Sequence, residues 1–230
     1  EADIINSYND VSGTVTLTSV TDLLANINAL STTAGISIAT ANLRVTDEVD
    51  LSDANTLNSY TSEEVTLDTV TDSFANVQSI FNLTPTEDGA NGVDLTAAQI
   101  TITDPVSLSQ VETANSFSTG LITLNSVRDS FDHLIAIDAI PSDAAVQVTD
   151  EVDLLKINEL RLKTTANITV DQVRDTKSNL AAINDFVVES GVAGDVILSN
   201  ADITVTDVVN KEEADIINSY NDVSGTVTLT

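Results

Sequence analysis

Closely spaced aspartates are the residues of this sequence best suited to chemistry. Asp47, Asp50 and Asp53 lie three residues apart, and Asp150 and Asp153 repeat the first two positions. Ca²⁺ prefers several hard oxygen ligands, so these carboxylates could bind calcium. Carboxylates also cap helices, because they accept hydrogen bonds from the free N–H groups at a helix N-terminus.

The residues at the positions equivalent to Asp50 indicate helix capping rather than calcium binding. The second strand pattern of each unit ends in Val-Thr-Asp or Ile-Thr-Asp, and a strong N-cap residue follows three positions after the aspartate, which is Asp47, Asp104, Asp150 or Asp207. At two of these places the residue is Ser107 or Asn210, which caps a helix as well as Asp does but binds calcium less well. We therefore expect caps at these positions, with calcium bound by Asp47, Asp50 and Asp53 as the alternative.

A second candidate for calcium lies in residues 87–94. The segment Glu-Asp-Gly-Ala-Asn-Gly-Val-Asp offers the side-chain oxygens of Asp88, Asn91 and Asp94 around two glycines. Its spacing differs from that of an EF-hand loop. The sequence predicts no cofactor other than this possible calcium.

Residues suited to catalysis are scarce. The chain has one histidine, His133, and no cysteine. It contains no recognisable Ser-His-Asp set, glycine-rich phosphate loop or metal-ligand cluster of His and Cys. Two related positions elsewhere in the chain carry Asn26 and Asn76, so we expect His133 to be a polar helix residue. The sequence predicts a protein that is not an enzyme.

The chain is strongly acidic, with 36 Asp and Glu residues against 8 Lys and Arg and a net charge of −28 at pH 7. This charge repels nucleic acid and anionic lipid and attracts cations. Salt screens the self-repulsion, so a saline exterior suits the protein. No apolar run reaches the roughly 20 residues of a transmembrane helix. We expect an extracellular or cell-surface protein with no nucleic-acid partner and no membrane span in this segment.

One long segment occurs twice. EADIINSYNDVSGTVTLT stands at residues 1–18 and again, unchanged, at residues 213–230. The two copies start 212 residues apart. Repetition at a fixed period is typical of solenoids and other repeat arrays. We expect the chain to represent one period of a longer tandem array.

A shorter repeat divides this period into four unequal units, each opening with an apolar-Thr-apolar strand pattern. The four patterns are Val15–Leu17, Val65–Leu67, Ile122–Leu124 and Ile168–Val170. The predicted limits are 1–13 for the end of a preceding unit, then 14–63, 64–120, 121–166 and 167–225 for the four units, and 226–230 for the start of the next period.

Each unit is predicted to fold as strand, helix, strand, helix. The first helix should begin at a capping box, in which a hydroxyl residue is followed three residues later by Asp. These hydroxyl residues are Ser19, Thr69 and Ser126. In the first unit, the apolar face of that helix would run from Val20 through Leu24 to Ile27. The second helix should begin at the other caps, which are Asp50, Ser107, Asp153 and Asn210.

Strands separated by helices pair in parallel through crossover connections. Eight strand-helix steps could stack as an open solenoid or close into a barrel. A barrel typically needs longer helices and about 250 residues, and the repeat here passes into its next copy through a strand without a linker. The sequence therefore favours an α/β tandem-repeat solenoid of short β-α coils with parallel strands, four β-α-β-α units per 212-residue period.

Most of the basic residues fall in one stretch of the chain. The six are Arg128, Lys156, Arg161, Lys163, Arg174 and Lys177. Lys163 stands where other units have Tyr60 or Phe117, and Lys177 stands where they have Leu24 or Phe74. We hypothesise a self-association surface, in which this patch contacts an acidic face of another turn or chain. The alternative is solvated lysines with buried aliphatic stems.

The repeated Val-Thr-Asp, followed by Val-x-Leu and an Ala-Asn or Val-Glu helix start, resembles the tandem repeats of very large secreted bacterial surface proteins. Proteins of this kind are found in cyanobacteria and among calcium-dependent repeat adhesins. The Asp-, Thr- and Asn-rich, cysteine-free composition is similar as well. The resemblance implies an adhesin-like or structural protein at the cell surface, a polymer whose partners are copies of itself.

Two functions follow as hypotheses. The first is a structural protein that forms an extracellular filament, matrix fibre or surface layer by continuous stacking of tandem repeats. The second is a binding module, either a calcium-stiffened adhesin stalk or a solenoid with a ligand-binding face.

Overall fold

Short strands alternate with helices along the chain, and every described helix follows a strand. The computed structural model describes residues 13–83, 92–137, 140, 144–188, 195–221 and 225–230. Within these residues the chain divides into two units, one formed by residues 1–104 and 112–123 and the other by residues 105–111 and 124–230.

The first unit contains seven strands and three helices among its described residues, and it shares an eighth strand, Ile122–Leu124, with the second unit. The strands are β1 (Val15–Thr16), β2 (Ser19–Asp22), β3 (Ile36–Ser37), β4 (Asn42–Val49), β5 (Glu64–Asp72), β6 (Gly92–Asp94), β7 (Gln99–Ile102) and β8 (Ile122–Leu124). The helices are α1 (Leu24–Thr32), α2 (Leu51–Tyr60) and α3 (Phe74–Phe81).

A fourth helix, α4 (Leu108–Ala114), has residues in both units. The remaining elements belong to the second unit. Its strands are β9 (Ser126–Asp129), β10 (Ala145–Val152), β11 (Ile168–Asp175), β12 (Val196–Ile197), β13 (Asp202–Val205) and β14 (Val227–Leu229). Its helices are α5 (Phe131–Ala136), α6 (Leu154–Arg161), α7 (Lys177–Val188) and α8 (Lys211–Asn218).

In each unit the strands pair in the order in which they occur along the chain. The first sheet runs β2-β4-β5-β7-β8, with β6 also on β5 and with β1 and β3 as a separate pair. The second runs β9-β10-β11-β13-β14, with β12 also on β11. The recorded registers are all parallel. The predicted α/β class with parallel strands is confirmed, and among the described strands neither sheet closes into a barrel.

Alternating aliphatic residues of the strands form the core beneath the helices. In the first unit, Leu43 pairs with Val65 and Val45 with Leu67, and all four side chains are buried. Their β-branched and aliphatic character suits a pleated sheet that is covered on its inner face. Burying one such side chain contributes roughly 1.5–3 kcal/mol.

The predicted start of the first helix is wrong by several residues. Ser19 and Val20 belong to strand β2, and helix α1 begins at Leu24. Likewise Thr69 lies in β5 and Ser126 in β9. The reason is that the valine after each hydroxyl continues the alternation of the strand and fills the sheet core, as Val20 does opposite Leu43.

The predicted starts of the second helices are confirmed. Asp50, Asp153 and Asn210 each accept a hydrogen bond from the N–H three residues later. Ser107 makes the reciprocal contact with Gln110, whose Oε1 accepts from the Ser107 N–H at 2.8 Å. These caps are local, since both partners lie within one helical turn, and short spacing in sequence is sufficient to identify them.

Gly120 and Gly225 are each required by a close approach of two backbone segments. A Cβ at Gly120 would lie 2.2 Å from the carbonyl oxygen of Ala98.

We expect Gly120→Ala to lower the free energy of unfolding by about 1–3 kcal/mol, because the backbone must shift to admit the methyl group. Urea denaturation of the purified protein measures this. The neighbouring Leu121→Ala, at a side chain that is 67% exposed, is the control and should change stability little; an equal loss in both variants would contradict the explanation.

Candidate functional site: a ladder of aspartate caps

Hydrogen bonds between successive coils are the most regular polar feature of the chain; a coil is here one strand with the helix that follows it. In seven coils the first N–H of the helix donates to a carboxylate at or near the end of the next strand, at 2.6–3.0 Å. The donors are Leu24, Leu51, Phe74, Leu108, Phe131, Leu154 and Lys177. We call the acceptors the aspartate ladder; they are Asp47, Asp72, Asp104, Asp129, Asp150, Asp175 and Asp207.

The ladder satisfies a need common to all helices. The first four N–H groups of a helix have no partner within it, and the positive end of the helix dipole favours a negative charge there. Here the acceptor comes from 19 to 30 residues further along the chain. Each ladder bond therefore joins a helix to the coil that follows it.

Two kinds of ladder residue alternate. Asp72 receives the Leu51 N–H on Oδ2, while its Oδ1 accepts from the Ser73 N–H and the Asn76 amide. It therefore holds the previous helix and the start of its own helix together. Asp129 and Asp175 make the same three contacts in the second unit.

Two residues of the other kind, Asp47 and Asp150, lie on bulges. Strand β4 has one more residue than β5 between the pairs Val45–Leu67 and Glu48–Thr69. The extra length falls at Thr46 and Asp47, and a bulge of this kind redirects side chains. The Asp47 carboxylate bonds the Leu24 N–H at 2.7 Å. Strand β10 has the same irregularity beside Asp150.

His133 occupies the position of Asn76 and Asn179 in the alternating pattern. Its Nδ1 lies 2.8 Å from Asp129 Oδ1, where the other two residues place an amide nitrogen. The single histidine thus supports a ladder carboxylate from a helix surface.

The hydrogen bonds favour the ionised form of these carboxylates. Burial opposes ionisation of Asp72, but the bonds from the Leu51 N–H, the Asn76 amide and the Ser73 N–H outweigh it and lower the pKa of Asp72. The pKa of Asp129 is lowered in the same way: burial opposes, and bonds from Leu108 and His133 prevail. Asp72 and Asp129 are therefore negatively charged at neutral pH.

The candidate calcium ligands of the first unit are engaged as caps. Asp50 Oδ1 accepts from the Asp53 N–H at 2.9 Å, and Asp53 Oδ2 lies 3.4 Å from the Asp50 N–H. Burial is the main reason that the pKa of Asp53 is raised, and the neighbouring carboxylates of Asp50 and Asp47 add to it. Asp50 and Asp47 thus lie close enough to Asp53 to oppose its negative charge.

The second candidate is only partly visible. Asp94 Oδ1 accepts from the N–H and the hydroxyl of Thr96, while Asp88 and Asn91 lie outside the described residues. No group of three or more His, Asp or Glu side chains arranged to hold a metal ion is found in the part of the chain that the structure describes. Calcium binding stays a prediction.

Five of the six basic residues contact acidic or backbone oxygens of their own unit or an aromatic ring. Lys177 Nζ pairs with Glu213 at 2.8 Å across helices α7 and α8. Lys163 Nζ donates to the Ile137 carbonyl at 3.2 Å. Arg128 lies 3.6 Å from Asp171, and Arg161 stacks on the Phe186 ring at 3.8 Å.

Lys156 is the fifth of these residues, and Arg174 is the sixth basic residue. Lys156 donates to the Glu151 carbonyl and lies 5.2 Å from the centre of the Phe131 ring. Arg174 is exposed. The predicted self-association surface stays a hypothesis.

Buried hydroxyls at the ends of the second helices escaped the sequence analysis. Thr61 Oγ1 donates to the Ala41 carbonyl at 2.6 Å, and Ser118 Oγ donates to the Ala98 carbonyl at 2.7 Å. Both tie a helix end to the tight turn before the previous long strand. The sequence does contain a signal for these turns. In each of them an aliphatic residue stands three positions before an alanine, as Ile38 stands before Ala41.

Comparison with protein-family models, with curated proteins and with solved structures finds no match to this chain. None of the described helices combines the length and the apolar character that crossing a bilayer requires.

The dual role of Asp72 can be tested by substitution. We expect Asp72→Ala to lower the free energy of unfolding by about 2–3 kcal/mol, because the starts of two helices lose an acceptor at once. Asp72→Asn should lose about half as much, since its remaining oxygen can still serve one helix. Asp68→Ala, which removes a partly exposed ion pair with Arg44, is the control and should cost less than about 1 kcal/mol. Equal losses in D72A and D68A, measured by urea denaturation, would contradict the ladder's role.

Proposed function

We propose that the chain is a structural protein that forms an extracellular filament, matrix fibre or surface layer by stacking β-α coils without interruption from one tandem copy to the next. The aspartate ladder is the observation that carries this proposal. Seven helices take an acceptor from the coil that follows them, so a coil is complete only when another coil lies beside it.

The order of the strands supports the same function. In both units the inner strands of the main sheet lie between the strands of the preceding and following coils, as in repeat proteins whose units contact only their nearest neighbours. A long chain of such units is an extended object whose length is set by the number of repeats. That property suits a fibre or stalk.

The charge supports an extracellular setting. A net charge of −28 keeps the repeats soluble and is tolerated best where salt screens it. Such filaments would contact one another sideways through their few basic side chains. The basic stretch from Arg128 to Lys177 has this role in the proposal.

A chain of two periods, in which residues 19–230 follow Thr230 directly, tests the stacking. We expect its thermal midpoint to exceed that of the single period by several degrees, because the new junction buries apolar residues. Electron micrographs should show particles lengthened by about 38 Å, from eight strands at roughly 4.8 Å each. The control is the same chain with a Gly-Ser linker between the periods, which should melt like one period. Two beads of unchanged stability in both chains would refute continuous stacking.

A calcium-stiffened stalk is the second candidate, favoured by the repulsion between Asp53 and the carboxylates of Asp50 and Asp47. If calcium binds there, it relieves this repulsion, so removal of calcium by a chelator should lower the thermal midpoint by several degrees. The effect should disappear in Asp53→Asn. An identical melt with and without chelator would leave only the metal-free structural function.

A further inference from the structure

Helix α6 presents leucines to solvent at positions where the other second helices of the repeat present polar residues. Leu155 in α6 and Leu162 directly after it are 77% and 89% exposed. The residues at these two positions are Ser52 and Ser59 in the coil of α2, Ser109 and Ser116 in the coil of α4, and Glu212 and Ser219 in the coil of α8. The exposed leucines are therefore a property of α6 and not of the repeat.

The two leucines lie on the outer side of the helix. They are seven residues apart, which is two helical turns, so both point the same way. Ile157 and Leu160 hold the opposite side of α6 and are fully buried. Helices α5 and α7 pack on either side of α6, so the leucines remain exposed with both neighbouring coils in place.

A lysine follows each leucine. The Lys156 Nζ donates to the Glu151 carbonyl at 3.1 Å, and the Lys163 Nζ donates to the Ile137 carbonyl at 3.2 Å. These bonds position the lysines without cancelling their charge, because a carbonyl is neutral. Exposed apolar side chains rimmed by charged ones are typical of interaction sites. We call Leu155, Lys156, Leu162 and Lys163 the α6 ridge.

A surface of opposite charge lies at the start of helix α2. Glu48 and Asp50 are exposed there, and burial and the nearby Asp50 carboxylate raise the pKa of Asp53. Arg44, which is the only lysine or arginine before residue 128, pairs with Asp68 instead. We call Glu48, Asp50 and Asp53 the cap edge.

The cap edge has an exposed leucine beside it. The Leu24 N–H donates to Asp47 Oδ1 at 2.7 Å, so Leu23 and Glu48, the chain neighbours of this bonded pair, lie near each other. The Leu23 side chain is 48% exposed. A leucine next to carboxylates thus matches the α6 ridge, in which leucines stand next to lysines.

We propose that the α6 ridge of one chain docks on the cap edge of a second copy of this chain. This docking rests on the proposed function, because it supplies the sideways contact that the function assigns to the basic stretch. Charge decides the occupant: a net charge of −28 makes copies repel one another, whereas lysines that meet carboxylates attract. The contact is heterologous, so each chain can bind two others, one by its ridge and one by its cap edge.

In a tandem array the ridge and the cap edge would each recur once in every 212 residues. Two neighbouring filaments would then make the same contact many times along their length. Linked contacts of this kind bind far more tightly than a single one, so a weak contact between single periods is sufficient.

Replacing the leucines by the residue that other coils carry tests the ridge. Leu155→Ser together with Leu162→Ser should leave the fold intact, since Ser52 and Ser59 occupy these positions in α2. We expect this double variant to raise the concentration at which half of the chains are associated by at least about tenfold, because the apolar part of the contact is lost. Sedimentation velocity of the 230-residue chain measures this concentration.

Leu121→Ser is the matched control, since its side chain is 67% exposed and lies outside both surfaces. It should leave the half-association concentration within about twofold of wild type. An equal effect of L121S and L155S/L162S would overturn the proposal, as would a wild-type chain that stays monomeric at millimolar concentration.

A second variant removes the cap edge. Glu48→Lys reverses one charge, and Asp50→Ser removes another but keeps a helix cap, because Ser107 caps α4 at the equivalent position. Neither E48K/D50S nor L155S/L162S should associate alone at the concentration at which wild type does. An equimolar mixture should form dimers and nothing larger, since one intact ridge and one intact cap edge remain, and these dimers also show that both variants are folded.

Three results of the mixing experiment would overturn the docking. They are association of E48K/D50S alone at the wild-type concentration, a mixture that stays monomeric, and a mixture that forms larger oligomers. If wild-type chains fail to associate while the two-period chain is more stable than one period, only the docking is wrong. If the mixture gives dimers while the two-period chain behaves as two separate beads, the stacking is wrong and the docking stands.

Discussion

A helix cannot satisfy its own first N–H groups, and the way in which this chain satisfies them determines its architecture. Most helices take an acceptor from the residue just before them. Here that local cap is supplemented by a carboxylate from the next coil, as Asp72 serves both Leu51 and its own helix. Most helices find this acceptor within four residues of the N–H, whereas here it also comes from the neighbouring coil. The arrangement recurs in seven coils.

Apolar burial and the ladder have different parts in the stability of the stack. Several buried aliphatic side chains per coil, each contributing roughly 1.5–3 kcal/mol, outweigh a cap of about 1 kcal/mol. Packing therefore supplies most of the free energy. The ladder fixes the separation and register of strand and helix, because only one such arrangement allows a carboxylate to reach the N–H. The bulge at Asp47 helps to position the carboxylate, because it adds one residue to β4 at the point where this side chain is redirected.

The range of the interactions decides how much could be predicted from the sequence. The caps at Asp50 and Asn210 involve residues three apart and were predicted correctly. The alternating strands gave the α/β class for the same reason. The start of the first helix was misplaced, because Asp22, Asp72 and Asp129 resemble the last residue of a capping box in a short window. Their actual partners include helices about 20 residues earlier, such as Leu51 and Leu108, and no local spacing shows that. An aspartate recurs at the strand ends, whatever residue caps the helix that follows. This recurrence was the signal that could have revealed the contacts with the preceding helices.

The ladder also makes the stack directional. Because each helix obtains its outside acceptor from a strand that comes later, a polypeptide that emerges with its N-terminus first leaves its newest helix unfinished until the following strand appears. The two sides of a coil are consequently unlike: the coil of β5 and α3 receives the Leu51 N–H on Asp72 and gives the Phe74 N–H to Asp104. Any polymer that preserves this arrangement has a head and a tail, and it lengthens by the same reaction at every addition.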